Sequence, residues 1–368
     1  MTPSTRSAPV PAASAGASAG ASAGLIRAVV VSWNGAHLLP ACLDALRAQT
    51  LPPGDLSVVV VDNASTDGTA ELLAREYPEV TCISSPTNLG FAGGVRLGMT
   101  GLTGRYVALV NNDLTLAPEA LARLRSALET PGGEKVAAVT ARILLAGTYR
   151  PERPGETPPR GSLTSGSLRF RATAPDDPAA LTLVNSTGNI VRTDGTGADR
   201  DWLSVDGTAD APQDVFGFCG AAALLRREAV EEVGGFDGDL FLYYEDTDLS
   251  WRLRAAGWQI RYVSDALATH LHAASSGASS AVFRYYNTRN SLIVFTRHAP
   301  FGVVLRSIAR QVAGWARAVC RDGNTDVTRA RARALASFLR ALPRTLRQRR
   351  RIWRDSAVSR RAVARYLA

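Results

Sequence analysis

Short apolar runs alternate with polar breaks along the first part of the chain, at a spacing that predicts strands followed by helices. Residues 25–34, LIRAVVVSWN, form a β-branched run that stops at the turn signal Trp33-Asn34-Gly35. Leu38, Leu39, Cys42, Leu43 and Leu46 then recur at helical spacing, and Pro52-Pro53-Gly54 ends the segment. The unit repeats as Ser57 to Val61 runs into Asp62-Asn63-Ala64-Ser65-Thr66-Asp67-Gly68, with a helix over Ala70 to Tyr77. Val80 to Ile83 is a third strand, and the glycine-rich loop Asn88 to Gly94 opens a helix around Val95 to Met99. Tyr106 to Val110 is a fourth strand, ending directly in Asn111-Asn112-Asp113. Strands alternating with helices predict a doubly wound, mostly parallel α/β sheet. Three of its strand ends release Asn34, Asp62 and Asp113 at the edge where open sheets bind ligands.

Past Pro118 the pattern gives a helix to about Leu128 and a strand near Val136 to Ile143. Residues 146–214 are rich in Gly, Pro, Thr and Asp and offer only a hairpin around Gly188 to Thr193, which suits a variable lid or acceptor-side insertion. Order returns with the glycine-kinked apolar run Phe216 to Leu225 and a helix at Arg227 to Val233. Tyr243-Tyr244 then enters a helix whose first turn holds Glu245, Asp246 and Asp248, a placement the helix dipole favours. A strand at Gln259 to Val263 precedes His270 and His272. Farther on, Leu305, Ile308, Val312, Trp315 and Val319 fall on one helical stripe, with Arg306, Arg310, Arg317 and Arg321 off it. A second helical segment sets Leu335, Phe338, Leu339, Leu342 and Leu346 among arginines.

Charge separates this tail from the rest. From Ser291 onward, 18 arginines and 3 aspartates give +15, so residues 1–290 carry −6 of the net +9. Basic amphipathic helices with tryptophan suit an anionic membrane surface. Packing on the preceding domain and homodimerisation through the tail are the competing expectations; nucleic acid is not an expected partner, because no recognition motif accompanies the charge. Cys42, Cys82, Cys219 and Cys320 form no C-x-x-C pair, which argues against a zinc site or disulfide framework and fits a reducing cytoplasm. Residues 1–24, mostly Ala, Ser, Gly and Pro, read as a disordered leader with neither a signal-peptide core nor a membrane span. The expected organisation is this leader, an α/β domain over 25–290 with 146–214 inserted, and a basic amphipathic helical tail over 291–368.

The stretches VVVSWNG, VDNASTDGT, NLGFAGG, LVNNDL, FGFCGAAALLRR, GGFD-x(4)-FLYYEDTDLSWRLRAAGW and the histidine before HAASSG follow in that order between Leu25 and Asn290. In this ordered set the chain resembles an inverting, family two nucleotide-sugar glycosyltransferase with the GT-A fold, closest to its bacterial rhamnosyltransferase-like branch. The resemblance implies that Asp113 and His270 bind Mg²⁺ or Mn²⁺ together with the donor diphosphate, whose leaving charge a divalent cation neutralises. Asn111 stands where the full Asp-x-Asp form has its first acid, which leaves a neutral oxygen and weaker metal binding. Asp113 read alone is also a turn acid, and His272 is a lesser candidate beside His270.

Asp62 matches the acid that accepts the imide N–H of uracil or thymine; its alternative role is a helix N-cap. Asn34, Asn63, Asn88, Gly90, Asn111 and Asn112 are the further donor-side candidates, with glycine allowing close backbone approach and Arg96 facing the phosphates. The resemblance places the general base in the Glu245-Asp246 pair, with Asp246 preferred. Asp248 suits a pairing with Arg252 four residues on. The implied donor is a dTDP- or UDP-sugar, with dTDP-rhamnose favoured, and the acceptor a cell-surface polysaccharide or lipid-linked glycan at the inner face of the plasma membrane. The rival is a non-catalytic scaffold or glycan-binding protein of the same fold, which would be expected to lack Asp113 or Asp246; both are present.

Overall fold

The computed structural model describes residues 25–153, 155–156, 162–207, 213–271 and 280–368. The expected leader and His272 lie outside these residues. In chain order the first elements are β1 (Ile26–Ser32), α1 (Leu39–Arg47), β2 (Leu56–Asp62), α2 (Thr69–Glu76), β3 (Thr81–Ser84), α3 (Gly90–Gly98), β4 (Tyr106–Val110), β5 (Leu114–Leu116), α4 (Ala120–Glu129) and β6 (Val136–Leu145). The segment expected as an insertion supplies β7 (Thr148–Pro151), β8 (Leu163–Ser165), β9 (Leu168–Thr173), β10 (Val184–Ser186), β11 (Asn189–Val191) and β12 (Gly197–Asp199). Then come β13 (Ala222–Arg226), α5 (Arg227–Glu232), α6 (Glu245–Ala255), β14 (Gln259–His270), α7 (Ala281–His298), α8 (Phe301–Asp322), α9 (Asp326–Arg354) and α10 (Arg360–Val363).

The central sheet has the order β3-β2-β1-β4-β13-β6-β14-β5, with β10 added on β6. Strands β1 to β4 are mutually parallel, and β13 runs antiparallel between β4 and β6, so β6 and its parallel neighbour β14 point the same way as β4. The β-branched run Val58 to Val61 and the wholly buried β4 suit a sheet covered on both faces. Leu39, Cys42, Leu43 and Leu46 of α1 pack on one face with Leu121, Leu124 and Leu128 of α4. Val95, Val230, Leu249 and Leu253, from α3, α5 and α6, cover the other. All the turns that follow β1, β2, β4 and β14 therefore meet at one edge.

Three elements differ from the sequence expectation. The apolar run from Phe216 is strand only from Ala222, because Gly217 bridges to Asn189 and bends the segment toward the hairpin β11–β12. Strand β14 extends to His270, carried by its pairing with β6 and β5. The boundary expected at 290/291 falls inside α7, which runs unbroken from Ala281 to His298. Leu292 to Phe295 of that helix pack with Trp251, Phe216, Val303 and Phe338 in one buried cluster, so the first tail helix is a core element beneath α6.

Candidate active site

Local chemistry shapes the β1 and β2 ends. Asn34 adopts a left-handed backbone (φ 50°), and its Oδ1 accepts the Thr66 N–H at 2.8 Å while its own N–H reaches Ser65 Oγ at 2.9 Å. Asp62, buried at the end of β2, accepts the Ser65 N–H on Oδ1 at 2.9 Å. The expected alternative of a helix cap does not describe it, since Gly68 holds the N-cap position of α2 and Asp67 accepts the Thr69 N–H. The second oxygen of Asp62 makes no hydrogen bond among the described residues.

The glycine-rich loop is fastened by side chains expected to touch a ligand. Asn63 donates to Asn88 Oδ1 (3.1 Å) and to the Gly90 carbonyl (3.0 Å), and accepts the Leu89 N–H at 2.9 Å. Asn88 Oδ1 also takes the Gly90 N–H at 2.8 Å. At Gly90 φ is +68°, and a Cβ would collide with the Phe241 carbonyl; at Gly94 it would collide with Val31. Glycine at these positions allows close contact between parts of the protein itself. Arg96 is exposed and lies against Gly238, at the far end of α3 from the edge that carries Asp113.

Beyond β4 the chain turns through Asn111-Asn112-Asp113 into β5, which pairs with the end of β14 and sets Leu114 opposite His270. Asn112 donates to Ser32 Oγ at 3.3 Å, and Gly35 leaves the space it needs. Asn111 is engaged through its backbone N–H, which donates to the Ala221 carbonyl at 3.0 Å. Asp113 Oδ1 lies 3.0 Å from His270 Nε2, and His270 Nδ1 lies 2.7 Å from Asn185 Oδ1. A neutral ring that donates from Nδ1 to Asn185 turns its Nε2 lone pair on a carboxylate oxygen. Two acceptors at that distance need a positive group, either a second ring proton or a cation. An oxygen and an imidazole nitrogen, with an amide orienting the ring from behind, fit a divalent cation. Among the described residues no third His, Cys, Asp or Glu completes a cluster, so diphosphate and water would supply the other positions, as suits Mg²⁺.

The start of α6 closes the site. Phe241, Tyr243 and Tyr244 all have positive φ, a conformation that costs non-glycine residues about 1–3 kcal/mol each and needs outside support. Asn290 of α7 supplies it: its Nδ2 lies 2.7, 2.8 and 2.9 Å from the carbonyls of Leu240, Leu242 and Tyr243. Asp246 Oδ2 accepts the Gly220 N–H at 3.1 Å and Oδ1 the Thr247 N–H at 2.6 Å. Because Gly220 precedes Ala221, which bonds Asn111, the Asp246 carboxylate and the Asp113–His270 pair share one edge.

Glu245 is different. Burial foremost, and then the charges of Asp246 and Asp248, hold its carboxyl well above the usual carboxylate range, which favours Asp246 over it as the base of the pair. Asp248 does pair with Arg252 (2.8 Å), as its spacing predicts, and also with Arg297 (3.0 Å) and His298 (2.8 Å). Burial pushes its pKa up, but these cations outweigh it and hold Asp248 well below the usual range.

Two participants were not singled out in the sequence. Asn185, which orients His270, and Asp199 both come from the segment expected to be a variable insertion. The hairpin β11–β12 packs on α6: Asn189 lies 3.4 Å from Thr247 Oγ1, and Gly197 donates to the Tyr244 hydroxyl at 3.4 Å. Asp199, two residues along the same face of β12, bears electrostatically on Asp246 and His270. Burial above all, with Asp246 nearby, pushes its carboxyl up to about 6 against hydrogen bonds from Ser186 and Cys219. A separate open groove of about 550 Å³, lined by Thr50, Arg123, Arg261 and Asp265 among others, shares no residue with this site.

Comparison with known proteins identifies the family and the fold. The family model described as Glycosyl transferase family 2 matches residues 28–234, and that of Glycosyl transferase family group 2 matches residues 181–351. An N-acetylglucosaminyl-diphospho-decaprenol L-rhamnosyltransferase of Mycobacterium tuberculosis is 28% identical over 264 residues, covering 69% of this chain and 78% of that protein. Among solved structures, GalNAc-T7 with UDP, GalNAc and Mn²⁺ matches with a TM-score of 0.54 at 13% identity, over 84% of this chain and 54% of that one. The 1–349 structure of TarS from S. aureus matches with a TM-score of 0.50 at 14% identity, over 93% and 88%. The sheet is thus of the GT-A type, and the chain belongs to glycosyl transferase family 2 as a glycosyltransferase.

Proposed function

We propose that the protein transfers a sugar, with rhamnose favoured, from a dTDP- or UDP-linked donor to a hydroxyl of a lipid-linked glycan or cell-surface polysaccharide, with inversion at the anomeric carbon. The observation that carries this reading is the pairing of two unlike groups at one sheet edge: Asp113 with His270, suited to a cation, and Asp246 at the start of α6, suited to a proton. Asp62, at the second strand end, is the group for the pyrimidine imide, and Asn34, Asn111 and Asn112 line the same edge. Asp113 and His270 would hold Mg²⁺ or Mn²⁺, which when bound offsets charge on the departing diphosphate.

Asp246 takes the proton of the acceptor hydroxyl as that oxygen bonds to the anomeric carbon. The bond from that carbon to the phosphate oxygen breaks, and its electron pair leaves with the nucleoside diphosphate. The N–H groups of Gly220 and Thr247 aim the carboxylate. Asp246→Asn is expected to abolish transfer while leaving donor affinity, measured by calorimetry, intact; normal turnover would refute the assignment. A panel of nucleotide sugars titrated with and without Mn²⁺ identifies the donor.

We also place the tail against an anionic membrane face. Among the described residues no helix is long and apolar enough to cross a membrane. Part of the apolar surface of α8 points outward, with Phe301 69%, Leu305 51% and Val312 44% exposed, although Ile308 packs inward on the buried cluster. An outward apolar stripe beside arginines supports an interfacial position at the cytoplasmic face more than a purely structural one. Deleting residues 299–323 with a short linker should then lower binding to phosphatidylglycerol vesicles, and unchanged cosedimentation would exclude this placement.

A further inference from the structure

Two asparagines of the 146–214 segment, four residues apart, reach different halves of the site. Asn185 orients His270. The side-chain N–H of Asn189 lies 3.4 Å from Thr247 Oγ1, and that hydroxyl donates to Asp246 Oδ1 at 3.2 Å. Both Asn189 and Thr247 are buried. Asn189 is held through its backbone, whose N–H donates to the Gly217 carbonyl at 2.7 Å and whose register partner on β12 is Asp199. A hydroxyl has a single proton to give. Because the Asn189 amide donates to the Thr247 oxygen, that proton is left for the carboxylate, and the bonds run in one direction from Asn189 through Thr247 to Asp246.

The two oxygens of Asp246 thereby become unlike. Oδ1 takes both the N–H and the O–H of Thr247, at 2.6 and 3.2 Å, which occupies its lone pairs. Oδ2 takes the Gly220 N–H at 3.1 Å and keeps a lone pair without a partner among the described residues. A Cβ at residue 220 would stand 3.5 Å from Oδ2 and 3.5 Å from Phe91 Cε1, so glycine leaves the space on this side open. Among the described residues the Thr247 hydroxyl accepts no backbone N–H, so its bond to Asp246 is not a by-product of capping α6.

We propose that Thr247, oriented by Asn189, is a positioning residue for Asp246: it fixes Oδ1 and turns the open side of Oδ2 toward the acceptor hydroxyl. The inference rests on the assignment of Asp246 as the base. The segment between β6 and β13 then supplies one orienting amide to each half of the reaction, Asn185 on the side suited to a cation and Asn189 on the side suited to a proton.

Protonation of Asp246 reads this chain of bonds without a substrate. In full-length protein labelled with ¹³C at the aspartate carboxyls, the Asp246 resonance is identified by its loss in Asp246→Asn and followed against pH by NMR. The titratable groups that bear on it are Tyr244 and Glu245 beside it, Asp199 on β12 and Cys219 ahead of β13, and all of them remain in the variants compared. A carboxylate that loses a hydrogen-bond donor protonates at higher pH. Thr247→Val, of nearly the same shape, is therefore expected to move the midpoint up by about half a unit to one unit, and Thr247→Ser to restore it. Asn189→Leu should give a smaller shift in the same direction, and it carries the comparison should Thr247→Val melt early. With dTDP-rhamnose as donor, kcat for dTDP release is expected to fall about tenfold in Thr247→Val at unchanged donor KM, and to recover in Thr247→Ser. Unmoved midpoints in both Thr247→Val and Asn189→Leu, a moved midpoint with wild-type kcat, or no recovery in Thr247→Ser overturns the proposal. If the wild type does not turn over dTDP-rhamnose, the midpoints alone decide. Turnover retained in Asp246→Asn counts instead against the base assignment, which separates the two failures.

Discussion

Between β1 and β4, each polar group at the sheet edge is held by the turn after its own strand or by a neighbouring turn: Asp62 by Ser65, Asn34 by Thr66, Asn63 by Asn88. At the start of α6 the supports come from far along the chain. Asn290 holds the 240–243 carbonyls, His298 and Arg297 hold Asp248, and Asn189 reaches Thr247. The first arrangement is set by short-range turn chemistry, whereas the second exists only once hairpin β11–β12 and the tail helices have docked. One edge of the site therefore tolerates change in the tail, and the other does not.

The contrast can be broken at several depths. Asp113→Ala should weaken Mn²⁺-dependent donor binding by more than the roughly hundredfold that outer-shell changes typically cause, and retained metal dependence in calorimetry would move the ligand elsewhere. Asp199 tests the hairpin's side. Its folded pKa, pushed up to about 6, lies above the ordinary value of 3.8, so the folded state holds the extra proton. Stability from this group is present below about 4 and is lost as pH rises through about 6, by up to roughly 3 kcal/mol. Asp199→Asn should flatten the urea-melt stability of the protein between pH 4 and pH 7; an unchanged slope would show that the folded state holds no extra proton on Asp199.

Asn185→Ala, which frees the imidazole, is expected to lower metal affinity on the order of ten- to a hundredfold with little change in melting temperature. The smallest effect is expected for Asn290→Ala: about 1–3 kcal/mol of stability, from carbonyls left without a donor, together with a fall in kcat at unchanged donor affinity. Equal falls in kcat for Asn290→Ala and for a destabilising substitution of similar size on α2 would show that the loop is not specifically held.

What could be read from the sequence follows the same division. Strands β1 to β4, their helices and the polar groups at their ends are announced by short-range pattern, since a β-branched run ending in Asp-Asn or Asn-Asn-Asp is a local signal. The acids of α6 are equally visible, because three carboxylates in one helical turn stand out. Asn185 and Asp199 are not, as they lie in three-residue strands within a segment rich in Gly, Pro, Thr and Asp, and only docking against β6 and α6 gives them meaning. The glycines of the 88–94 loop are legible only as places where backbone passes close to something, and Phe241 and Val31 are neighbours that the motif does not name. The tail was legible as basic amphipathic helices but not as core, because the buried face of α7 carries polar anchors such as Asn290, Arg297 and His298 among its apolar residues.

The reliance of the 240–244 loop on Asn290 also bears on how the enzyme comes into being. During synthesis the sheet edge can assemble as soon as β4 and its partners have emerged. The three left-handed residues before Glu245 have nothing to hold them until some fifty more residues have followed and α7 has folded against them. On the proposed reading, a ribosome-bound chain acquires its donor-side edge before it can orient a base, and a product truncated ahead of Asn290 is expected to capture donor without transferring it.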